Sequence, residues 1–253
     1  MADHLKVDEA TVPTIVLTFS ASAEAENTTA EAVAMRSRAV RALALHTELH
    51  LPGCLVGSID QQVYLLHADP ALTAQSVDNL LDRLVQQVER GTGVTALATA
   101  GRVHRGVGAA EQSRGEADDA MRVLRGRATD VRTGTFDRLR AAIVVSEVVE
   151  ALRGRPTLVQ GVIAPLIDQD RQRGTDYVHT LSVYLDAFGD VRKAAATLHV
   201  HPNSLRYRIR RIEEVAGLDL TDPELRLALQ LVIAARGPRP FPEPGDDAGT
   251  PRI

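Results

Sequence analysis

Residues 191–212 read VRKAAATLHVHPNSLRYRIRRI, an alanine-rich segment, a break and an arginine-rich segment that together hold six basic residues and no acid. Ala194, Ala195 and Leu198 share one helical face and Val200 follows as the apolar residue of a turn, so two helices can pack closely here. Pro202 cannot continue the first helix but suits the opening turn of a second, where its missing N–H costs nothing and its fixed φ is already helical. The second helix is predicted to begin at His201 or Pro202 and to run to residue 215. Leu205, Ile209 and Ile212 recur at helical spacing and must face inward. Asn203, Arg206, Tyr207, Arg210 and Arg211 are left on the outer surface, with Ser204 and Arg208 at its edges. This is the spacing of a helix-turn-helix, with His199 where a turn glycine is usual.

That outer face is cationic, hydrogen-bonding and partly aromatic, which is the chemistry of a major-groove reader. One α-helix fits the groove, where Arg pairs bidentately with guanine and Asn with adenine while other Arg and Ser side chains grip phosphates. Arg206, Arg210 and Arg211 are the candidates for bases or phosphates, Asn203 and Tyr207 for base edges or backbone, Ser204 and Arg208 for flanking phosphates, and Lys193 for a phosphate approached from the first helix. Double-stranded DNA is the partner implied. A short helix reads few bases, so a homodimer or higher homo-oligomer is expected.

The surrounding chain places this segment in a larger molecule. With 253 residues it is long enough for two domains, and its net charge of −4 makes the positive potential local to the reader rather than a property of the whole. The single cysteine, Cys54, sits in an apolar strand-like run and precludes an internal disulfide framework, which fits a reducing cytoplasm. No apolar stretch approaches the length of a membrane span, and MADHLKVDEA lacks a basic-then-apolar signal pattern. A soluble, cytoplasmic protein without membrane contact is expected.

Upstream, strand and helix periods alternate. Residues 14–19 read as a strand, 31–50 as a helix, 54–59 and 63–66 as a hairpin, 72–90 as a helix, 94–100 as a strand, 109–125 as a helix and 131–136 as a last strand. The centre of this order is the split β-α-β of a ferredoxin-like antiparallel sheet. From Leu139 onward only helical periods remain, broken at Gly154-Arg155-Pro156, at Arg173-Gly174 and at Gly189. Leu181, Tyr184, Leu185 and Phe188 form an apolar stripe expected to dock beneath the reader. Asp222 caps a closing helix with Pro223 at its first position. The Pro/Gly-rich tail, 237–253, is expected to be disordered.

The run from Ala164, with T-L-x-x-Y-L at 180–185, A-A-x-x-L at 194–198, H-P-N-S-L-R-Y-R at 201–208 and D-L-x-D-P at 219–223, resembles the C-terminal DNA-binding domain of PucR/CdaR transcriptional regulators. The two-helix reader is also similar to that of the Fis protein. The first half resembles the degenerate GGDEF-like domain that precedes the reader in this family, a relative of diguanylate cyclase catalytic domains. The resemblance implies an α+β GGDEF-like domain at 11–137, an all-α PucR-type domain at 138–236, and a sequence-specific activator or repressor responsive to a small-molecule effector. Relatives often carry a separate sensor ahead of the GGDEF-like domain, and here about ten residues precede the first strand.

Two alternatives follow from the same resemblances: a nucleotide-binding relative of diguanylate cyclases, and a Fis-like architectural DNA-binding protein. Nucleotidyl chemistry needs paired carboxylates for divalent metal and a bare backbone for phosphates. Aligned on the hairpin, Ser58-Ile59-Asp60-Gln61-Gln62 takes the place of Gly-Gly-Asp-Glu-Phe and keeps only the Asp, while TIVLTFSAS in the first strand has no acid. Val94 to Ala100 and Ala117-Asp118-Asp119-Ala120 echo later elements that are structural in that family. No enzyme, catalytic residue, metal or cofactor is expected. His46 and His50 have an i, i+4 zinc spacing, but Glu48 stands where the metalloprotease pattern fails. The glycines of residues 101–108 lack the Lys-Ser or Lys-Thr of a phosphate loop and read as a flexible strand-to-helix connection.

Overall fold

The computed structural model describes residues 12–21, 30–51, 54–59, 62–93, 95–126 and 131–237. They divide into two compact units between Val144 and Val145. The first contains β1 (Pro13–Ala21), α1 (Ala30–His50), β2 (Cys54–Ile59), β3 (Gln62–Ala68), α2 (Ala74–Thr92), β4 (Ala96–Ala100), β5 (His104–Arg105), α3 (Ala110–Arg125), β6 (Thr133–Thr135) and the start of α4 (Phe136–Arg153). Its sheet has the order β2-β3-β1-β4-β6, with β5 also paired to β1. Along β4, β1, β3 and β2 each strand is antiparallel to its neighbour, the expected ferredoxin-like arrangement, and β6 adds a parallel edge to β4.

Alternation along β1 builds the two faces of this sheet. Ile15, Leu17 and Phe19 enter a core with Leu43 of α1 and with Val77, Leu81 and Leu84 of α2. The intervening Thr14, Val16 and Thr18 are also buried. On that side Val16 and Thr18 hydrogen-bond to Ser113 and Asp118 of α3. Thr73 opens α2 with a capping box, and Gly93 ends it in the left-handed conformation. A second cluster in this unit joins Leu97, Met121, Leu124, Leu139 and Ile143.

Two sequence expectations change here. The last strand is shorter than 131–136, because Phe136 already begins α4. The glycine-spaced segment 101–108 is tied down rather than flexible. Leu17 pairs with Ala100, whereas Thr14 pairs with His104, so the register slips by one residue and a bulge forms at the β4–β5 junction. Ser113 Oγ accepts from Val16 N–H at 2.9 Å, and a Cβ on Gly101 would lie 2.0 Å from the Ser113 carbonyl oxygen. Glu116 secures the same segment by accepting from Arg102 N–H at 2.8 Å and by bonding the Arg102 guanidinium and His104 Nε2. Burial pushes the Glu116 carboxyl up, but those hydrogen bonds, with Arg102 foremost, outweigh it and hold the group below its ordinary range.

The second unit is helical throughout its described residues: the rest of α4, α5 (Pro156–Gly161), α6 (Ala164–Arg173), α7 (Tyr177–Asp186), α8 (Val191–Thr197), α9 (Pro202–Ala216) and α10 (Pro223–Ala235). Leu166, Leu181, Leu185, Leu205, Ile209, Ile212 and Leu229 meet in one core. Asp170, itself buried, accepts from the backbone N–H groups of Tyr177 and Val178, which seats the start of α7. The expected stripe of α7 holds for Leu181 and Leu185 but not for Phe188, which is 86% exposed. Helix α7 stops at Asp186, and Phe188 adopts φ +55°, so it leaves the helical face on which its spacing would have placed it. Asp60, Gln61 and the tail beyond Gly237 lie outside the described residues.

Candidate nucleic-acid interface

Helices α8 and α9 can approach each other because the residues between them are small. Ala194 and Ala195 are buried, and Leu205, Ile209 and Ile212 close over them from α9. Asp190 opens α8, its carboxylate accepting from the backbone N–H of Arg192 at 2.8 Å and of Lys193 at 3.1 Å. The hydrogen bonds from the Lys193 and then the Arg192 backbone hold that carboxyl below its usual range.

The turn uses His199 at φ +53°, and Val200 N–H donates back to the Ala195 carbonyl at 3.0 Å. That left-handed residue is what a glycine usually provides. His201 then caps α9 by accepting from Asn203 N–H on Nδ1 at 3.2 Å, with Pro202 in the first turn as the sequence requires. Gly217, at φ +64°, ends the helix.

The structure places the sequence-selected side chains together. Asn203, Ser204, Arg206, Tyr207, Arg208 and Arg210 are exposed along α9, Arg211 is half-exposed, and Lys193 is exposed on the first turn of α8. Tyr207 is 72% exposed, its ring open to solvent. Arg206 Nη1 donates to Asn203 Oδ1 at 2.7 Å, which leaves the Asn203 amide N–H groups to point at acceptors such as purine N7. Arg211 Nη1 pairs with Glu214 Oε2 at 2.7 Å, and that hydrogen bond raises the Arg211 pKa. Arg208 and Arg210 take no part in these pairs.

Beside α9 lies an open cleft of about 690 Å³, lined by Asn203, Ser204, Tyr207 and Arg208 on one side and by residues 174–177 with Thr180 on the other. The turn before α7 thus flanks the reader, which the sequence reading did not find. Its residues are remote in sequence from the basic run, and nothing in their type marks them. In the first unit, Asp118 is absorbed by structure. It accepts from Tyr64 Oη at 3.0 Å and from Thr18 Oγ1 at 3.3 Å, and pairs with Arg114 at 3.6 Å. Ala117 and Ala120 beside it are fully buried. The thiol of Cys54 lies 3.0 Å from His67 Nδ1 and is pushed up to about 12, first by burial and then by the charge of Asp69.

Residues 177–235 match the PucR C-terminal helix-turn-helix domain, and residues 5–123 match the GGDEF-like domain. An uncharacterized protein of Mycobacterium tuberculosis is 39% identical over 83 residues, 33% of this chain and 19% of that protein. The purine catabolism regulatory protein of Bacillus subtilis is 37% identical over 65 residues, 26% of this chain and 12% of that protein. The DNA-binding transcriptional activator AdeR of Bacillus subtilis is 31% identical over 74 residues, 29% of this chain and 18% of that protein. The matched segments span less than a fifth of each relative's length.

Proposed function

Because the chain joins a GGDEF-like domain to a PucR-type helix-turn-helix domain, we propose that it is a sequence-specific DNA-binding transcriptional regulator that lays α9 in the major groove as a homodimer or higher oligomer. The observation that carries this reading is the outer face of α9, free of acids from Asn203 to Arg211 and backed by a buried apolar face. Arg206, Arg210 and Arg211 contact bases or phosphates, Asn203 and Tyr207 base edges or backbone, Ser204 and Arg208 the flanking phosphates, and Lys193 a phosphate reached from α8. Arg211 exchanges its ion pair with Glu214 for a phosphate contact when DNA enters.

Residues 11–137 form the relay and oligomerisation domain and residues 138–236 the reader, without enzymatic activity. The protein works in the cytoplasm and answers a small-molecule effector. No described helix is long and apolar enough to cross a membrane. The absence of any carboxylate on β1 supports a structural role for the GGDEF-like domain, since a metal-dependent nucleotidyl site needs paired acids.

Selection from a random DNA library with the full chain tests the reading. A regulator enriches a motif of two half-sites related by two-fold symmetry, about 10 base pairs or a multiple apart. Recovery of unrelated sequences at moderate salt would instead indicate an architectural DNA coat. Recovery of nothing contradicts the proposal.

A further inference from the structure

We propose that the free edge of β2 is the seat of a second copy of this chain, its β2 pairing antiparallel with this one about a two-fold axis to continue the sheet. The inference rests on the reading of the protein as a dimeric DNA binder, and names the surface that joins the copies. Among the described residues β2 pairs only with β3, and none of them lies as a strand along its other row of backbone N–H and C=O groups. Edge strands in monomeric proteins are guarded by charge, by proline or by shortness. The opposite edge, β6, has three residues and so is guarded by shortness. β2 has six, CLVGSI, with neither a charge nor a proline among them.

Its side chains point the same way. Leu55 and Ile59 lie on one face of the strand at alternate positions about Gly57, and they are 42% and 44% exposed. The edge is self-complementary. An antiparallel pair centred on Gly57 sets Leu55 opposite Ile59 of the partner subunit and Ile59 opposite Leu55 of the partner subunit, with the two glycines meeting at the axis. A short strand pair and a few apolar side chains make a modest interface, which fits a dimer that DNA with two half-sites consolidates.

The test uses the full chain in two measurements. In hydrogen exchange across a concentration series, the amides of β2 gain protection as the dimer forms in sedimentation, in the wild type and without any substitution. In the second, Leu55→Lys with Ile59→Lys gives a monomer of unchanged circular dichroism, binding a single half-site as the wild type does but a two-half-site DNA about 100-fold more weakly. A chain that is monomeric at every concentration overturns the proposal, as does a dimer whose β2 amides exchange freely. A wild-type dimer with protected β2 amides that binds no DNA leaves this interface standing and refutes the DNA-binding reading instead.

Discussion

His199 carries a cost that the fold imposes on one side chain. At φ +53° its β-carbon crowds the following carbonyl, yet the turn between α8 and α9 needs that conformation so that Val200 can bond back to Ala195. His199→Gly is therefore expected to raise stability by up to about 1 kcal/mol, read as a higher urea midpoint at unchanged m. An unchanged or lower midpoint would mean that the imidazole makes a compensating contact. Glu116 is a second residue with a defined consequence. Its carboxyl is depressed in the folded chain, so its contribution is present above the ordinary value of 4.5 and lost as pH falls through the lower folded value. Glu116→Gln should cost about 1–3 kcal/mol at neutral pH by weakening the anchorage of Arg102, and should flatten the loss of stability below pH 4.5. A variant with the wild-type acid profile would assign that profile to other carboxylates.

At the scale of elements, α9 was readable because everything that makes it is local. A helical apolar period and a proline at the first turn both lie within the run itself, and the helix runs one residue past its expected end, to Ala216. The core strands were readable for the same reason, through alternation in 14–19 and the hairpin spacing of 54–66. What was not readable depends on distant partners. The bulge after β4 exists because Ser113 of α3 fills the hydrogen bond that the register slip leaves open at Val16. Phe188 continues the spacing of Leu181 and Leu185, and only the early end of α7 removes it from their face. The flank formed by residues 174–177 is brought to α9 by packing, in which the buried Asp170 fixes the start of α7. Of the candidate site, the side chains on α8 and α9 were legible, and the cleft beside them was not.

For the whole molecule, charge is unevenly distributed. The chain is net negative, −4 overall, while residues 191–212 are free of acids, so the DNA contact proposed for α9 rests on a local positive surface and is expected to weaken with salt. In the first unit Asp118 has a structural part, tying α3 to β1 and β3. The central claim is that the outer face of α9 reads DNA, and it is tested most directly by titrating one selected DNA site with wild-type chain and with Arg210→Ala across a range of salt concentrations. The account predicts a loss of about 1–3 kcal/mol if Arg210 reads a base, or a salt slope shallower by about one if it grips a phosphate. Equal affinity and equal slope for the two proteins would contradict it.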